Sequence, residues 1–85
     1  MPIMSKSDLL LVFGATVRRY RTAAGLSQEC LAELAAIHRT YIGGIERGER
    51  NPTLLMIHRL ATALEIAPSK LLELTPSKAA KYDER

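Results

Sequence analysis

The sequence predicts an all-α fold of five helices in one compact domain. Three observations predict it. No stretch alternates apolar and polar residues as a half-buried strand does, apolar residues recur at helical spacing along most of the chain, and the prolines sit only at positions 2, 52, 68 and 76, where they bound helices instead of interrupting them. With 85 residues, of which 47% are hydrophobic and 25% charged, the balance is that of a single small globular unit. A chain this short buries a modest fraction of its surface and gains stability from an oligomeric partner.

The first helix is expected from about Asp8 to Ala24, capped by Ser7 or Asp8, with Leu9, Phe13, Val17 and Tyr20 on one face. Gly25 closes it, since a glycine after the last periodic residue suits the left-handed conformation of a helix end. Ser27 then caps a second helix, with Gln28 and Glu29 in its first turn, running to about Ala35. Leu31 and Leu34 form its apolar stripe, with Cys30 and Ala35 beside them, and Ala36 and Ile37 make a tight turn. A third helix covers about Arg39 to Arg47, with His38 near its cap and Gly48 after its end. Asn51 and Pro52 read as the cap and first residue of a fourth helix, which runs to Leu64 with Ile57, Leu60, Ala61 and Leu64 inward. A short fifth helix from about Pro68 to Leu74 carries Leu71, Leu72 and Leu74, and Thr75-Pro76 stops it. Residues 1–7 are thus an N-terminal arm, 8–74 the folded domain and 75–85 a polar C-terminal tail that frays.

Several function classes fall away at this stage. Cys30 is the only cysteine, which excludes an intrachain disulfide and a cysteine-built zinc site and leaves it as a small hydrophobe on the buried side of its helix. His38 and His58 have no Cys, Asp or His at metal spacing, so no metal is expected. No nucleophile, base and orienting acid assemble, and no glycine-rich phosphate loop follows a strand, so neither an enzyme nor a cofactor is expected. The longest apolar run, Leu9 to Phe13, is far short of the roughly 20 residues of a membrane span, so no membrane partner is expected. The start lacks a signal cleavage pattern and reads as cytoplasmic. A net charge of +3 leans mildly towards an anionic partner.

The stretch from Gly25 to Pro52 carries the strongest signal. It opens Gly25-Leu26-Ser27-Gln28, continues through His38-Arg39-Thr40-Tyr41-Ile42-Gly43-Gly44-Ile45-Glu46-Arg47-Gly48 and ends Glu49-Arg50-Asn51-Pro52. These residues at this spacing resemble the helix-turn-helix of the phage repressor and Cro family, over about Phe13 to Leu74, and within it the controller proteins of restriction-modification systems. The resemblance implies a repressor-like DNA-binding domain that regulates transcription on double-stranded DNA. With no appended ligand domain, no small-molecule ligand is expected.

The residues agree with that implication. Two short helices joined by a tight turn project the second outward, so that its first residues reach base edges in a major groove about 12 Å wide. Ile42 and Ile45 face the core, leaving Arg39, Thr40, Gly43, Gly44 and Arg47 opposite. Arg39 suits the N7 and O6 of a guanine, against the plainer reading of a solvated arginine. Thr40 offers a base its hydroxyl or its methyl, or it only helps cap the helix. Mid-helix glycines each cost roughly 0.5 to 1 kcal/mol, so Gly43 and Gly44 suggest close approach of open backbone to bases. Arg47, Arg50 and Asn51 surround Gly48 where they reach the sugar-phosphate chain, and His38 is a further candidate there. The family implies that Ser27 and Gln28 meet a phosphate and that Tyr41 packs its ring inward with its hydroxyl towards the DNA backbone. It also implies a salt bridge from Arg21 to Glu46. Between Leu26 and Asn51 the glutamates outnumber the arginines and the net charge is −1, so any positive face arises from arrangement.

Leu55, Met56, Leu71, Leu72 and Leu74 exceed what two short helices can bury. This surplus points to a two-fold homodimer that places the third helices one DNA turn apart, about 34 to 36 Å, on a palindromic operator. The competing reading is a helical interaction module, such as an antitoxin or adaptor subunit, that uses this apolar surface on a protein partner.

Overall fold

The computed structural model describes residues 4–74. Among them are five α-helices and no strand: α1 Lys6–Ala23, α2 Gln28–Ala35, α3 Arg39–Glu46, α4 Leu54–Leu64 and α5 Pro68–Leu71. The tail expected at 75–85, with the Thr75-Pro76 stop, and residues 1–3 of the expected arm lie outside the described residues. Residues 6 and 7 belong to α1 and not to an arm, because Ser5 is the cap: its Oγ accepts from the Asp8 N–H at 3.0 Å. That choice places Asp8 in the first turn, against the positive end of the helix.

Ser27 caps α2 as expected, accepting from the Cys30 N–H at 3.0 Å. Gly25 and Gly48 follow α1 and α3 with φ of 75° and 77°. The start of α4 differs. Thr53, not Asn51, is its cap, with Oγ1 accepting from the Met56 N–H at 3.2 Å. Both residues are competent caps, and a helix begun at Leu54 leaves Asn51-Pro52 in the connecting loop. The fifth helix ends at Leu71, three residues earlier than expected.

Every helix contributes to one core. Val17, Leu31, Ile42, Ile45, Leu60 and Leu71 are its fully buried large side chains, and Phe13, Ile37 and Leu64 close around them. Each such side chain contributes about 1.5 to 3 kcal/mol on burial. Leu71 is therefore core, which corrects its assignment to a dimer interface: with no exposed surface it has nothing to offer a second chain. Met56 and Leu74 are half-buried against the same core, whereas Leu55 and Leu72 are exposed.

Helix α2 is rotated from its expected setting. Leu31, Ala32 and Ala35 face inward, while Leu34 is 61% exposed and Cys30 is exposed beside it. The small alanines let α2 lie close to α3 and α4, both of which it packs against. Leu9, expected inward on α1, is likewise exposed at the start of that helix.

Candidate nucleic-acid interface

Helices α2 and α3 are joined by Ala36, Ile37 and His38. Ala36 takes the left-handed conformation at φ 58°, ψ 43°, and the N–H of Ile37 bonds back to the Ala32 carbonyl at 3.0 Å. This closure is of the kind glycine usually makes. The Ile37 side chain is buried in the core and pins the turn. His38 then caps α3 through Nδ1, which accepts from the Thr40 N–H at 3.1 Å. The bond requires that nitrogen to be unprotonated.

The inner side of α3 is held in three ways. Ile42 and Ile45 are buried. Gly14 of α1 lies under the end of α3, where a Cβ would stand 2.2 Å from the Ile45 carbonyl oxygen and 2.7 Å from that of Glu46. Nothing but glycine fits at that crossing, a requirement the periodicity of α1 did not reveal.

The third hold is a buried charge pair. Arg21 donates from Nε to Glu46 Oε2 at 2.7 Å, from Nη2 to Oε1 at 3.0 Å and from Nη1 to the Leu26 carbonyl at 2.8 Å. Gln28 Nε2 donates to Glu46 Oε1 at 3.0 Å. The carboxylate is thus bound by α1, α2 and its own helix at once, and its hydrogen bond to Arg21 is the main reason that the guanidinium is held above its usual pKa. Among the described residues no buried side-chain nitrogen or oxygen lacks a partner. Gln28 thereby gains an internal role that the family resemblance did not imply, with one N–H of the same nitrogen still available.

The outer side is open and charged. Arg39 and Thr40 are exposed at the start of α3, and Arg39 Nη1 pairs with the carboxylate of Glu29 on α2. Arg47 Nε pairs with Glu49 at 3.1 Å, which raises the pKa of the arginine and lowers that of the glutamate. The pairings of Glu29 with Arg39 and of Glu49 with Arg47 are not legible in the sequence, because pairs between separate helices or along a loop follow no helical period. Ser27, Gln28, Glu29, Arg39, Thr40, Gly43, Arg47 and Arg21 line one concave surface of about 510 Å³ between the start of α2 and α3. Asn51 is exposed in the loop, and Tyr41 is half-buried with the Arg50 guanidinium carbon 5.1 Å from its ring centroid.

The glycine pair is a correction. Gly43 and Gly44, expected as open backbone for bases, are both buried, because arginine side chains lie over them. A Cβ on Gly43 would meet Arg47 Nη1 at 3.0 Å, and one on Gly44 would meet Arg50 Cγ at 2.6 Å. No base reaches that backbone unless the arginines move.

Among the described residues there is no group of three metal-ligating side chains, and no helix is long and apolar enough to cross a membrane. The helix-turn-helix family profile matches residues 17–71, from the middle of α1 to the end of α5. The chain belongs to the helix-turn-helix family. It is thus a DNA-binding transcriptional regulator and not an enzyme. It is 49% identical over 65 residues to the control protein C.SmaI of Serratia marcescens, covering 76% of this chain and 77% of the relative. To the control protein C.BamHI of Bacillus amyloliquefaciens it is 43% identical over 70 residues, covering 81% and 86%. The crystal structure of the restriction-modification controller protein C.AhdI from Aeromonas hydrophila matches with a TM-score of 0.72 at 55% identity, over 73% of this chain and 94% of that one.

Proposed function

We propose that this regulator acts in the cytoplasm as a two-fold homodimer on a palindromic operator, and that it controls the promoter of a restriction-modification operon. The observation that carries the DNA reading is the exposure of Arg39 and Thr40 at the start of a helix whose opposite side is fixed by Ile42, Ile45 and the Arg21–Glu46 pair. Such a helix enters the major groove N-terminus first, with Arg39 bidentate on a guanine and Thr40 on the neighbouring pair. To reach the base, Arg39 shares or leaves its exposed pairing with Glu29, a pair of the kind that contributes only about 0 to 1 kcal/mol. Ser27, Gln28, His38, Tyr41, Arg47, Arg50 and Asn51 flank it and serve the sugar-phosphate chain, setting register and not sequence.

The dimer rests on a separate surface. Leu54, Leu55, Ile57, His58, Pro68 and Leu72 line an apolar groove of about 490 Å³ on α4 and α5, with Leu54 77% and Leu55 56% exposed. A second copy docked by a two-fold axis covers both grooves at once. The operon reading is supported by the similarity to the control proteins C.SmaI and C.BamHI and to the restriction-modification controller protein C.AhdI.

A fluorescence-anisotropy titration tests the reading, with a duplex from the gene's own upstream region against a scrambled duplex at about 50 and 200 mM salt. Tighter, salt-dependent binding to the upstream duplex, with two chains per duplex by light scattering, is the expected result. Equal and weak binding to both would overturn it in favour of a protein-interaction module.

A further inference from the structure

Gly44 lies in the interior of α3, where a glycine weakens the helix. Its backbone does not demand one, since the glycines with positive φ are Gly25 and Gly48. What demands it is space. A Cβ there would stand 2.6 Å from Arg50 Cγ, 3.3 Å from Nε and 3.5 Å from Cδ, so the aliphatic stem of Arg50 lies flat on the helix backbone. The head of the same side chain stands over the Tyr41 ring, 5.1 Å from its centroid, and that ring is packed against the core. Gly43 differs in kind: the atom nearest its Cβ position is Arg47 Nη1 at 3.0 Å, the mobile tip of a side chain that can swing away.

We propose that Gly44 is a positioning residue that seats the stem of Arg50, so that with Tyr41 it holds the Arg50 guanidinium ready as a phosphate clamp beside the recognition helix. The proposal rests on the DNA-binding reading and deepens it. An arginine that must be ordered on binding loses rotamer freedom at that moment, whereas one held in advance does not. Stacking uses the face of the guanidinium and leaves the donors along its edge for phosphate oxygens. The same geometry explains why a helix-weakening residue stands on the outward side of the helix, beneath the Arg50 stem.

The test is a double-mutant cycle on Gly44→Ala and Arg50→Ala, read as the Kd for the upstream duplex. Gly44→Ala is expected to weaken binding about five- to ten-fold by displacing a charged phosphate donor. The thermal midpoint should hold or rise, because alanine is the better helix former. In the Arg50→Ala background the same substitution should change the Kd less than about two-fold, the non-additivity expected of residues in contact. Equal losses in both backgrounds would mean that the added methyl meets DNA itself, and no loss in either would mean that the seat does nothing; each overturns the proposal. Without DNA, the Arg50 methylene protons should be shifted upfield by the Tyr41 ring in wild type and in Tyr41→Phe, and should return towards random-coil positions in Gly44→Ala. Unshifted protons in the wild type would also overturn it. A wild-type protein that binds no duplex overturns the DNA reading and the clamp together, whereas one that binds with additive losses overturns the clamp alone.

Discussion

The two sides of α3 are held by opposite kinds of contact. Its inner side meets things that cannot move: the Gly14 backbone, the buried Ile42 and Ile45, and a carboxylate tied to two other helices. Its outer side meets side chains, of which Arg39 on Glu29 and Arg47 on Glu49 are exposed pairs that can swing away while Arg50 rests on Tyr41. Exposed ion pairs contribute little to stability and are readily exchanged for phosphates or base edges, whereas a buried pair that loses one partner leaves an uncompensated charge. The difference teaches that this recognition helix is rigid in placement and adaptable in its contacts. Substitutions inside should therefore cost stability, and those outside should cost binding.

The sharpest break is Glu46→Ala, which strands the Arg21 guanidinium and removes the acceptor of Gln28. Urea denaturation should show a loss of about 3 to 5 kcal/mol, a large share of what so small a domain has. Next comes Gly14→Ala. Its methyl would press on the backbone carbonyls of α3, and overpacking against a group that cannot yield costs about 1 to 3 kcal/mol; the thermal midpoint should fall and Ile45 amide exchange should quicken.

On the outer side the readout changes. Arg39→Ala should leave the urea midpoint within about 0.5 kcal/mol of wild type and remove about 1 to 3 kcal/mol of discrimination between operator and scrambled duplexes. A comparable loss of stability would erase the contrast between the two sides. The smallest effect concerns the turn itself. Ala36 holds a left-handed conformation that costs an L-residue roughly 1 kcal/mol, so Ala36→Gly should gain about 0.5 kcal/mol after the added freedom of the unfolded chain is subtracted, with DNA affinity unchanged.

Much of this design could be read along the chain, and where the reading stopped has a physical cause. Ser27 and His38 were readable as helix starts because a cap involves neighbours within three residues and no rival cap lies beside them, whereas Ser5 and Thr53 compete with Ser7 or Asp8 and with Asn51 close by. The fate of α2 was not. In an eight-residue helix the stripe of Leu31 and Leu34 and the stripe of Leu31, Ala32 and Ala35 are both acceptable apolar faces, and periodicity has no means of ranking them. The close fit available to alanines against α3 and α4 chose the second and turned Leu34 and Cys30 outward.

The interface divides in the same way. Local spacing already placed Arg39 and Thr40 at an exposed helix start and Ile42 and Ile45 inward, since hydrogen-bonded helical geometry dictates which neighbours share a face. Three-dimensional packing supplied the rest: glycine at position 14 where two backbones cross, the burial of Leu71, and arginines folded back over Gly43 and Gly44. These contacts join residues on different helices or reach from a loop back to a helix, and long side chains choose among rotamers by the surfaces they meet. No period along the chain encodes such a meeting; it exists only once the helices have packed.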